Sequence, residues 1–180
     1  MRGHLSAISD REITLVIGGA RSGKSRYAEA LVSARPPPWV YLATGEARDD
    51  EMAARIAAHR ARRGADWRLT EVPRDLADAI SGAPAGSAVL VDCLTLWLSN
   101  LMLADVDIDA DTHRLDDALA RARGPIVLVS NEVGFGIVPD NVLARRFRDL
   151  QGRLNQRLAA RADRVVLVVA GLPIAVKEPK

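Results

Sequence analysis

Cysteine, long hydrophobic runs and net charge are all scarce in this sequence, and each shortage excludes a class of protein. Cys93 is the single cysteine among 180 residues, so a fold held together by disulfides within the chain is excluded. It lies in an apolar run without a neighbouring group that would stabilise a thiolate, which favours a buried spectator thiol over a nucleophile. The longest apolar stretch, residues 88–103, is interrupted by polar side chains and falls short of a membrane span.

The formal net charge is only +2, from 25 basic and 23 acidic residues, and it gives no sign of a nucleic-acid partner. Hydrophobic residues at 48% and charged residues at 27% make an ordinary globular mixture. Residues Met1–Arg11 are polar and lack the apolar core of a signal peptide, so we expect a cytoplasmic protein. We predict a flexible extension over residues 1–11 and a single domain over residues 12–180.

Short apolar runs alternate along the chain with longer helical stretches. The runs that we predict to be strands are Ile13–Ile17, Trp39–Ala43, Ala88–Val91, Ile126–Val129 and Val165–Val169. The stretches that we predict to be helices are Lys24–Ala34, Asp49–Arg63, Thr112–Arg123 and Asp140–Ala162. This alternation indicates an α/β fold with a mostly parallel sheet flanked by helices. Beyond the last strand, Ile174–Lys177 is predicted to pair with it as an antiparallel edge hairpin.

A glycine-rich loop stands between the first predicted strand and the first predicted helix. It matches the phosphate-binding pattern G-x-x-x-x-G-K-[ST] over Gly18, Gly19, Ala20, Arg21, Ser22, Gly23, Lys24 and Ser25. The glycines allow a tight turn whose N–H groups face phosphate oxygens, and the helix N-terminus attracts the same anion. We expect Lys24 to reach the β- and γ-phosphates of ATP or GTP, and the Ser25 hydroxyl to hold Mg²⁺. A glycine-rich turn without a ligand is the alternative.

An acidic partner for the metal is expected at the end of another strand. The apolar run Ala88–Val91 leads directly into Asp92, which is the arrangement of a Walker B carboxylate. Asp92 would then bind Mg²⁺ directly or through water. The alternative is that Asp92 caps the helix that follows, because aspartate is a favoured N-cap residue.

His59 lies on the predicted helix over Asp49–Arg63, and four arginines of that helix lie close to it in sequence. Those positive charges favour the neutral imidazole, which is the nucleophilic form, and they would also hold a triphosphate. The alternative is a basic helix that carries one partly buried histidine with no chemical role. The spacing of these residues leaves both interpretations open.

Several segments together resemble one known family, the bifunctional adenosylcobinamide kinase/adenosylcobinamide-phosphate guanylyltransferases of cobalamin biosynthesis. The segments are Gly18–Arg26, Tyr41–Thr44, Asp49–Ile56 with His59, Trp67–Arg68 with Glu71, Asn131–Pro139, Arg145–Asp149 and Gly152–Arg157. The resemblance spans about residues 13–177. It implies a RecA-like P-loop NTPase fold and a homo-oligomer, which in this family is a trimer.

The resemblance also implies two consecutive reactions. ATP or GTP phosphorylates adenosylcobinamide, and GTP then transfers GMP to adenosylcobinamide phosphate, which releases pyrophosphate. In this family a histidine carries GMP as a phosphoramidate, and the resemblance gives that role to His59, with Lys24 as a second catalytic residue. The nucleotide contacts that it implies are Gly18–Ser25, Ala43, Thr44, Gly45, Arg60, Ala61, Arg62, Arg63, Glu71 and Asp92.

Two acidic side chains have less definite roles. Glu71 would bind the ribose of GMP, or it is a solvated surface carboxylate. Glu132 follows the fourth predicted strand and would deprotonate the cobinamide hydroxyl, or it is a structural cap.

From the residues alone, two other functions stay open. One is a different small-molecule P-loop kinase in which His59 is structural. The other is a non-enzymatic GTP-binding switch, although the sequence has no Asn-Lys-x-Asp motif for reading guanine and no Asp-x-x-Gly after the third predicted strand.

Overall fold

The structure, a computed structural model, describes residues 8–46, 50 and 64–179. Its strands are β1 (Ile13–Gly18), β2 (Trp39–Ala43), β3 (Trp67–Glu71), β4 (Ala88–Asp92), β5 (Ile126–Asn131), β6 (Arg164–Val169) and β7 (Leu172–Lys177). Its helices are α1 (Lys24–Ser33), α2 (Leu76–Ser81), α3 (Leu94–Leu103), α4 (Ile108–Ala120) and α5 (Val142–Arg161). Apart from Asp50, the predicted helix over Asp49–Arg63 lies outside the described residues.

The seven strands form one sheet in the order β3-β2-β4-β5-β1-β6-β7. Every neighbouring pair is parallel except β6 and β7, which are antiparallel. The predicted mostly parallel sheet and its C-terminal antiparallel edge are therefore confirmed. A strand that is covered on both faces needs apolar side chains at successive positions. Leu15 and Val16 on β1 satisfy this condition, since each is 0% exposed.

Helices cover the sheet on two faces. On one face, α1 packs against side chains such as Val16, Leu90 and Val129. On the other face, α3, α4 and α5 pack against Leu15 and its neighbours. Successive residues of a strand point to opposite faces, so residues two apart point toward the same helices. This alternation decides which side chains at the strand ends can reach the glycine-rich loop before α1.

The apolar stretch at residues 88–103 divides into β4, which the sequence predicts over Ala88–Val91, and α3, whose bounds the sequence pattern did not predict. Its continuous hydrophobicity fits a buried strand and a buried helix equally well, and the division falls at Cys93. In the part of the chain that the structure describes, no helix has both the length and the apolar character needed to cross a bilayer.

The ordered fold begins before Glu12, the first residue of the predicted domain. Ile8 is 1% exposed and packs in the cluster with α1. Its carbonyl accepts a hydrogen bond of 2.9 Å from Arg35 Nη1, and Arg35 also pairs with Asp10. The boundary predicted at residue 11 is therefore too late by at least four residues, while residues 1–7 lie outside the described part.

Candidate functional site

The glycine-rich loop joins β1 to α1, as the sequence predicts. Gly23 has a φ of 95°, in the left-handed region that favours glycine. Gly18 has no room for a side chain, because a Cβ there would lie 2.5 Å from Ser22 Oγ and 2.6 Å from the Val168 carbonyl oxygen. No side chain caps the start of α1, and no acidic residue occupies its first turn. The helix end therefore keeps its positive dipole for an anion.

Lys24 is folded back along this loop. Its Nζ donates a hydrogen bond of 3.1 Å to the carbonyl of Gly19, and the residue is only 6% exposed. An ammonium group held this way lies beside the backbone amides that would surround a phosphate. Ser25 follows it as the second residue of α1.

The β6–β7 turn supports the loop from one side. Gly171 N donates to the Ser22 carbonyl at 2.8 Å. A Cβ on Gly23 would approach the Gly171 Cα to 3.2 Å, so the turn lies directly against the loop. The antiparallel edge hairpin thus takes part in shaping the glycine-rich loop.

Asp92 ends β4 and lies on the same face of the sheet as α1. Leu90, two residues earlier, packs in the α1 cluster, and Tyr41 of that cluster donates a hydrogen bond of 2.8 Å from its hydroxyl to Asp92 Oδ2. The alternative prediction, a helix cap, is wrong. The N-cap of α3 is Cys93, and no side chain caps that helix.

The residues suit a magnesium ion of the P-loop type. Mg²⁺ in such sites takes one or two protein oxygens and otherwise phosphate oxygens and water. Asp92 supplies a carboxylate at the strand end, and Ser25 supplies a hydroxyl at the helix start. Among residues 8–46, 50 and 64–179 there is no group of three His, Cys, Asp or Glu side chains that could hold a metal by themselves. A site that depends on nucleotide oxygens needs no such group.

Four further predicted contacts that the structure describes lie along the same edge of the sheet, namely Ala43, Thr44, Gly45 and Glu71. The strand register aligns Ala43 with Asp92 on one side and with Glu71 on the other. Glu71 is exposed at the end of the edge strand β3, and Gly45 is half-buried two residues after β2. At about 4.8 Å between strands, β2 and β3 lie about 14 and 19 Å from β1. The predicted contacts therefore extend across most of the carboxyl edge.

Thr44 lies at this edge of the sheet, but its side chain is buried in the protein interior. It is 0% exposed, and its hydroxyl accepts from Cys93 N at 2.8 Å and donates to the Cys93 carbonyl at 2.6 Å. Its own carbonyl accepts a hydrogen bond of 2.8 Å from Asn100 Nδ2. The Thr44 side chain thus ties the end of β2 to the turn that follows Asp92.

Cys93 is a buried thiol, as expected. Burial raises its pKa to about 11, and the negative charge of Asp92 acts in the same direction. A thiol with this pKa stays protonated at neutral pH, in agreement with the expected spectator role.

Glu132 follows β5 beside the glycine-rich loop. Its N–H donates to the Gly18 carbonyl at 3.0 Å, and its Oε1 accepts from Gly134 N at 2.6 Å. One carboxylate oxygen therefore has the capping contact that the sequence left as an alternative. An open cleft beside the loop is lined by Glu132, Phe135 and the end of β6.

His59, Arg60, Ala61, Arg62 and Arg63 lie outside the described residues. Two contributions to the site escaped the sequence-based prediction. Tyr41, in a segment already noted, holds Asp92, and Asn100 fixes the Thr44 carbonyl. Both depend on contacts between residues more than 50 positions apart, which a local pattern does not reveal.

Comparison with known proteins gives a consistent result. The family described as cobinamide kinase / cobinamide phosphate guanyltransferase matches residues 14–176. The bifunctional adenosylcobalamin biosynthesis protein CobP of Pseudomonas aeruginosa is 50% identical, over 91% of this chain and 96% of that protein. The bifunctional adenosylcobalamin biosynthesis protein CobU of Salmonella typhimurium is 47% identical, over 91% of this chain and 98% of that protein.

Solved structures that resemble the fold are more distant in sequence. The flagellar accessory protein FlaH from Methanocaldococcus jannaschii has a TM-score of 0.53 at 13% identity, covering 96% of this chain and 80% of that one. A prototypical ATPase from the type III secretion system of pathogenic bacteria has a TM-score of 0.56 at 12% identity, covering 93% and 57% respectively. At this level of identity the likeness shows the fold alone.

Proposed function

This chain belongs to the cobinamide kinase / cobinamide phosphate guanyltransferase family, and from that membership we propose how its residues divide the work of two reactions. The chain is a bifunctional enzyme of cobalamin biosynthesis, an adenosylcobinamide kinase and adenosylcobinamide-phosphate guanylyltransferase. Membership decides among the three functions that the residues alone left open. The observation that carries the proposal is the phosphate loop with the buried Lys24 at its centre.

In the kinase reaction, the loop from Gly18 to Ser25 holds the phosphates of ATP or GTP. The cobinamide hydroxyl oxygen attacks the γ-phosphorus, the bond from that phosphorus to the β–γ bridging oxygen breaks, and the nucleoside diphosphate leaves. Lys24 and the amides at the start of α1 stabilise the charge on the transferred group. We assign the uptake of the hydroxyl proton to the second carboxylate oxygen of Glu132, and the position of this residue beside the loop supports the assignment.

In the guanylyltransferase reaction, we assign the nucleophile to His59. Its imidazole nitrogen attacks the α-phosphorus of GTP, and pyrophosphate leaves. A phosphate oxygen of adenosylcobinamide phosphate then attacks the same phosphorus, which breaks the P–N bond and yields adenosylcobinamide-GDP. Arg60, Arg62 and Arg63 neutralise the phosphates, and the segment Ala43–Gly45 with Glu71 accommodates the nucleoside.

Asp92 and Ser25 are the residues that would hold Mg²⁺. When bound, the ion supplies charge neutralisation on the phosphate oxygens. The hydrogen bond from Tyr41 orients the Asp92 carboxylate for this purpose.

A product assay tests the assignment of both reactions. Adenosylcobinamide incubated with the enzyme, Mg²⁺ and ATP is expected to gain one phosphate, and further addition of GTP is expected to give adenosylcobinamide-GDP and pyrophosphate. Chromatography with mass spectrometry distinguishes the three corrinoids. GTP hydrolysis that proceeds without any new corrinoid would contradict the proposal.

We also propose that the chain from Ile8 onward acts as one domain, in the cytoplasm where nucleoside triphosphates are supplied, and that the chain is a homotrimer. Support for association comes from the edge strand β7, where Leu172, Ile174 and Val176 are 68%, 51% and 65% exposed. Apolar side chains along an open sheet edge favour contact with another subunit. Sedimentation equilibrium is expected to give three times the mass of one chain, and a species of single-chain mass at micromolar concentration would contradict it.

A further inference from the structure

Asn131 lies at the point of the sheet where the predicted phosphate and metal residues converge. Strand β5 runs between β1, which leads into the glycine-rich loop, and β4, which ends at Asp92. In the register, Asn131 is opposite Gly18, and Asp92 is opposite Val129. The end of β5 therefore lies between the glycine-rich loop, which follows β1, and Asp92, which ends β4.

The side chain of Asn131 belongs on the same face as α1. Val127 and Val129 pack in the α1 cluster, and alternation along the strand gives Asn131 the same direction. Ser130, between them, points to the opposite face, where its hydroxyl bonds Asn155 of α5 at 2.6 Å. The Asn131 side chain thus projects from β5 on the α1 face of the sheet, the face on which Lys24 and Asp92 also lie.

The backbone of Asn131 is held from both sides. Its N–H donates to Thr95 Oγ1 at 2.8 Å, and its carbonyl accepts from Asn155 Nδ2 at 3.1 Å. Gln151 completes the support by bonding Ser130 Oγ at 2.9 Å and Asn155 Oδ1 at 3.0 Å. This buried polar network fixes the strand end without using the Asn131 side chain.

By contrast, Asn131 Oδ1 is buried and has no hydrogen-bond partner in the described part of the chain. A buried polar atom without a partner destabilises the fold, because its hydrogen bonds to water are lost and not replaced. Such atoms are rare in folded proteins, and at a strand end beside the glycine-rich loop a ligand is one partner that would complete the bonding. The carboxamide can turn half a revolution about its Cβ–Cγ bond and present either its oxygen or its NH₂ group.

We propose that the Asn131 side-chain amide is a further catalytic residue, which donates a hydrogen bond to the γ-phosphate of the bound nucleoside triphosphate. This inference rests on the proposed function of the glycine-rich loop. Phosphate oxygens only accept hydrogen bonds, so the amide turns its NH₂ group toward them when the triphosphate binds. The contact distinguishes a triphosphate from a diphosphate, and it acts on the group that the kinase reaction transfers.

The test compares two nucleotides that differ at the γ-phosphate. Calorimetry with Mg²⁺ measures the affinity of the native chain and of Asn131→Ala for GDP and for a non-hydrolysable GTP analogue. We expect the variant to bind the analogue at least about tenfold more weakly, because a hydrogen bond to a charged group is lost. We expect its GDP affinity to be unchanged, and its Tm without ligand to be no lower than that of the native chain.

Asn141→Ala is the matched control. The Asn141 side chain caps α5 by accepting from Ala144 N at 2.7 Å, on an exposed surface, so the same atoms are removed there. Its ratio of triphosphate to diphosphate affinity is expected to equal the native ratio. As a second variant, Asn131→Asp keeps the shape but adds a negative charge, and it is expected to lose more triphosphate affinity than Asn131→Ala.

The outcomes separate this inference from the function on which it rests. If the native chain binds neither nucleotide, the proposed phosphate site fails and Asn131 has no substrate to contact. If the native chain binds both but Asn131→Ala and Asn131→Asp keep the native affinity ratio, the Asn131 contact is refuted while the phosphate site stands. Equal losses for GDP and the analogue would also refute it, since they would show general damage to the site.

Discussion

Replacing Lys24 by alanine is expected to lower kcat/KM by about 10²–10³-fold in the kinase reaction, the range seen when one donor to transition-state charge is removed. Lys24 is 6% exposed and its ammonium nitrogen lies 3.1 Å from a loop carbonyl, so alanine removes a positive charge from beside the amides of the loop. Initial rates of adenosylcobinamide phosphorylation at saturating and limiting ATP measure the effect.

The effect of Lys24→Ala on guanylyl transfer tests whether one phosphate site serves both reactions. If the same loop holds the departing pyrophosphate of GTP, both rates fall together. The predicted nucleoside contacts on β2 and β3 lie about 14 and 19 Å from β1, as counted in strand spacings. A variant that transfers GMP at the native rate while phosphorylation is lost would therefore indicate two separate nucleotide sites.

Lys177→Ala is the matched control for this substitution. Lys177 lies on β7, where its Nζ donates to the carbonyls of Ala159 and Ala160 at 3.1 and 3.2 Å near the end of α5. Its loss removes the same charge from a structural position, so the Tm is expected to fall while kcat/KM stays near the native value. An equal fall in kcat/KM for both variants would argue that Lys24 acts only through stability.

Local patterns predicted the parts of the fold that depend on local chemistry. The phosphate loop is one continuous segment, and its residues alone predict the order of strand, glycine-rich turn and helix. The strands β1, β2, β4, β5 and β6 carry apolar side chains because helices cover both faces of the sheet. Because such strands are buried on both faces, their burial appears directly in the sequence as a continuous apolar run.

The missed elements depend on long-range pairing. Strand β3 carries Arg68, Thr70 and Glu71, an exposed polar set that predicts no strand, and it forms because its backbone pairs with β2 at the sheet edge. The place of Asn131 beside Gly18 follows from a register between residues more than 100 positions apart. Phe135, in a segment that follows β5, is 86% exposed beside the loop.

His59→Ala is expected to abolish the covalent guanylyl-enzyme and to reduce guanylyl transfer by about 10⁴-fold or more, as loss of a covalent nucleophile does. Incubation of the native enzyme with α-labelled GTP should leave label on the protein that acid releases and alkali does not, which is the behaviour of a phosphoramidate. The variant should carry none. Adenosylcobinamide phosphorylation by ATP should continue in the variant, because that reaction transfers the γ-phosphate and needs no imidazole.

His113→Ala is the control that separates the nucleophile from histidine in general. His113 lies on α4, where its Nδ1 is 2.8 Å from Arg157 Nη2, and α4 packs on the sheet face opposite the phosphate loop helix. Label and both activities are expected to persist in this variant. Label that survives in His59→Ala and maps by mass spectrometry to another residue would remove His59 from the mechanism. The assignment of Lys24 would be unaffected, because β1, the glycine-rich loop and α1 form the phosphate site without any residue of the segment that carries His59.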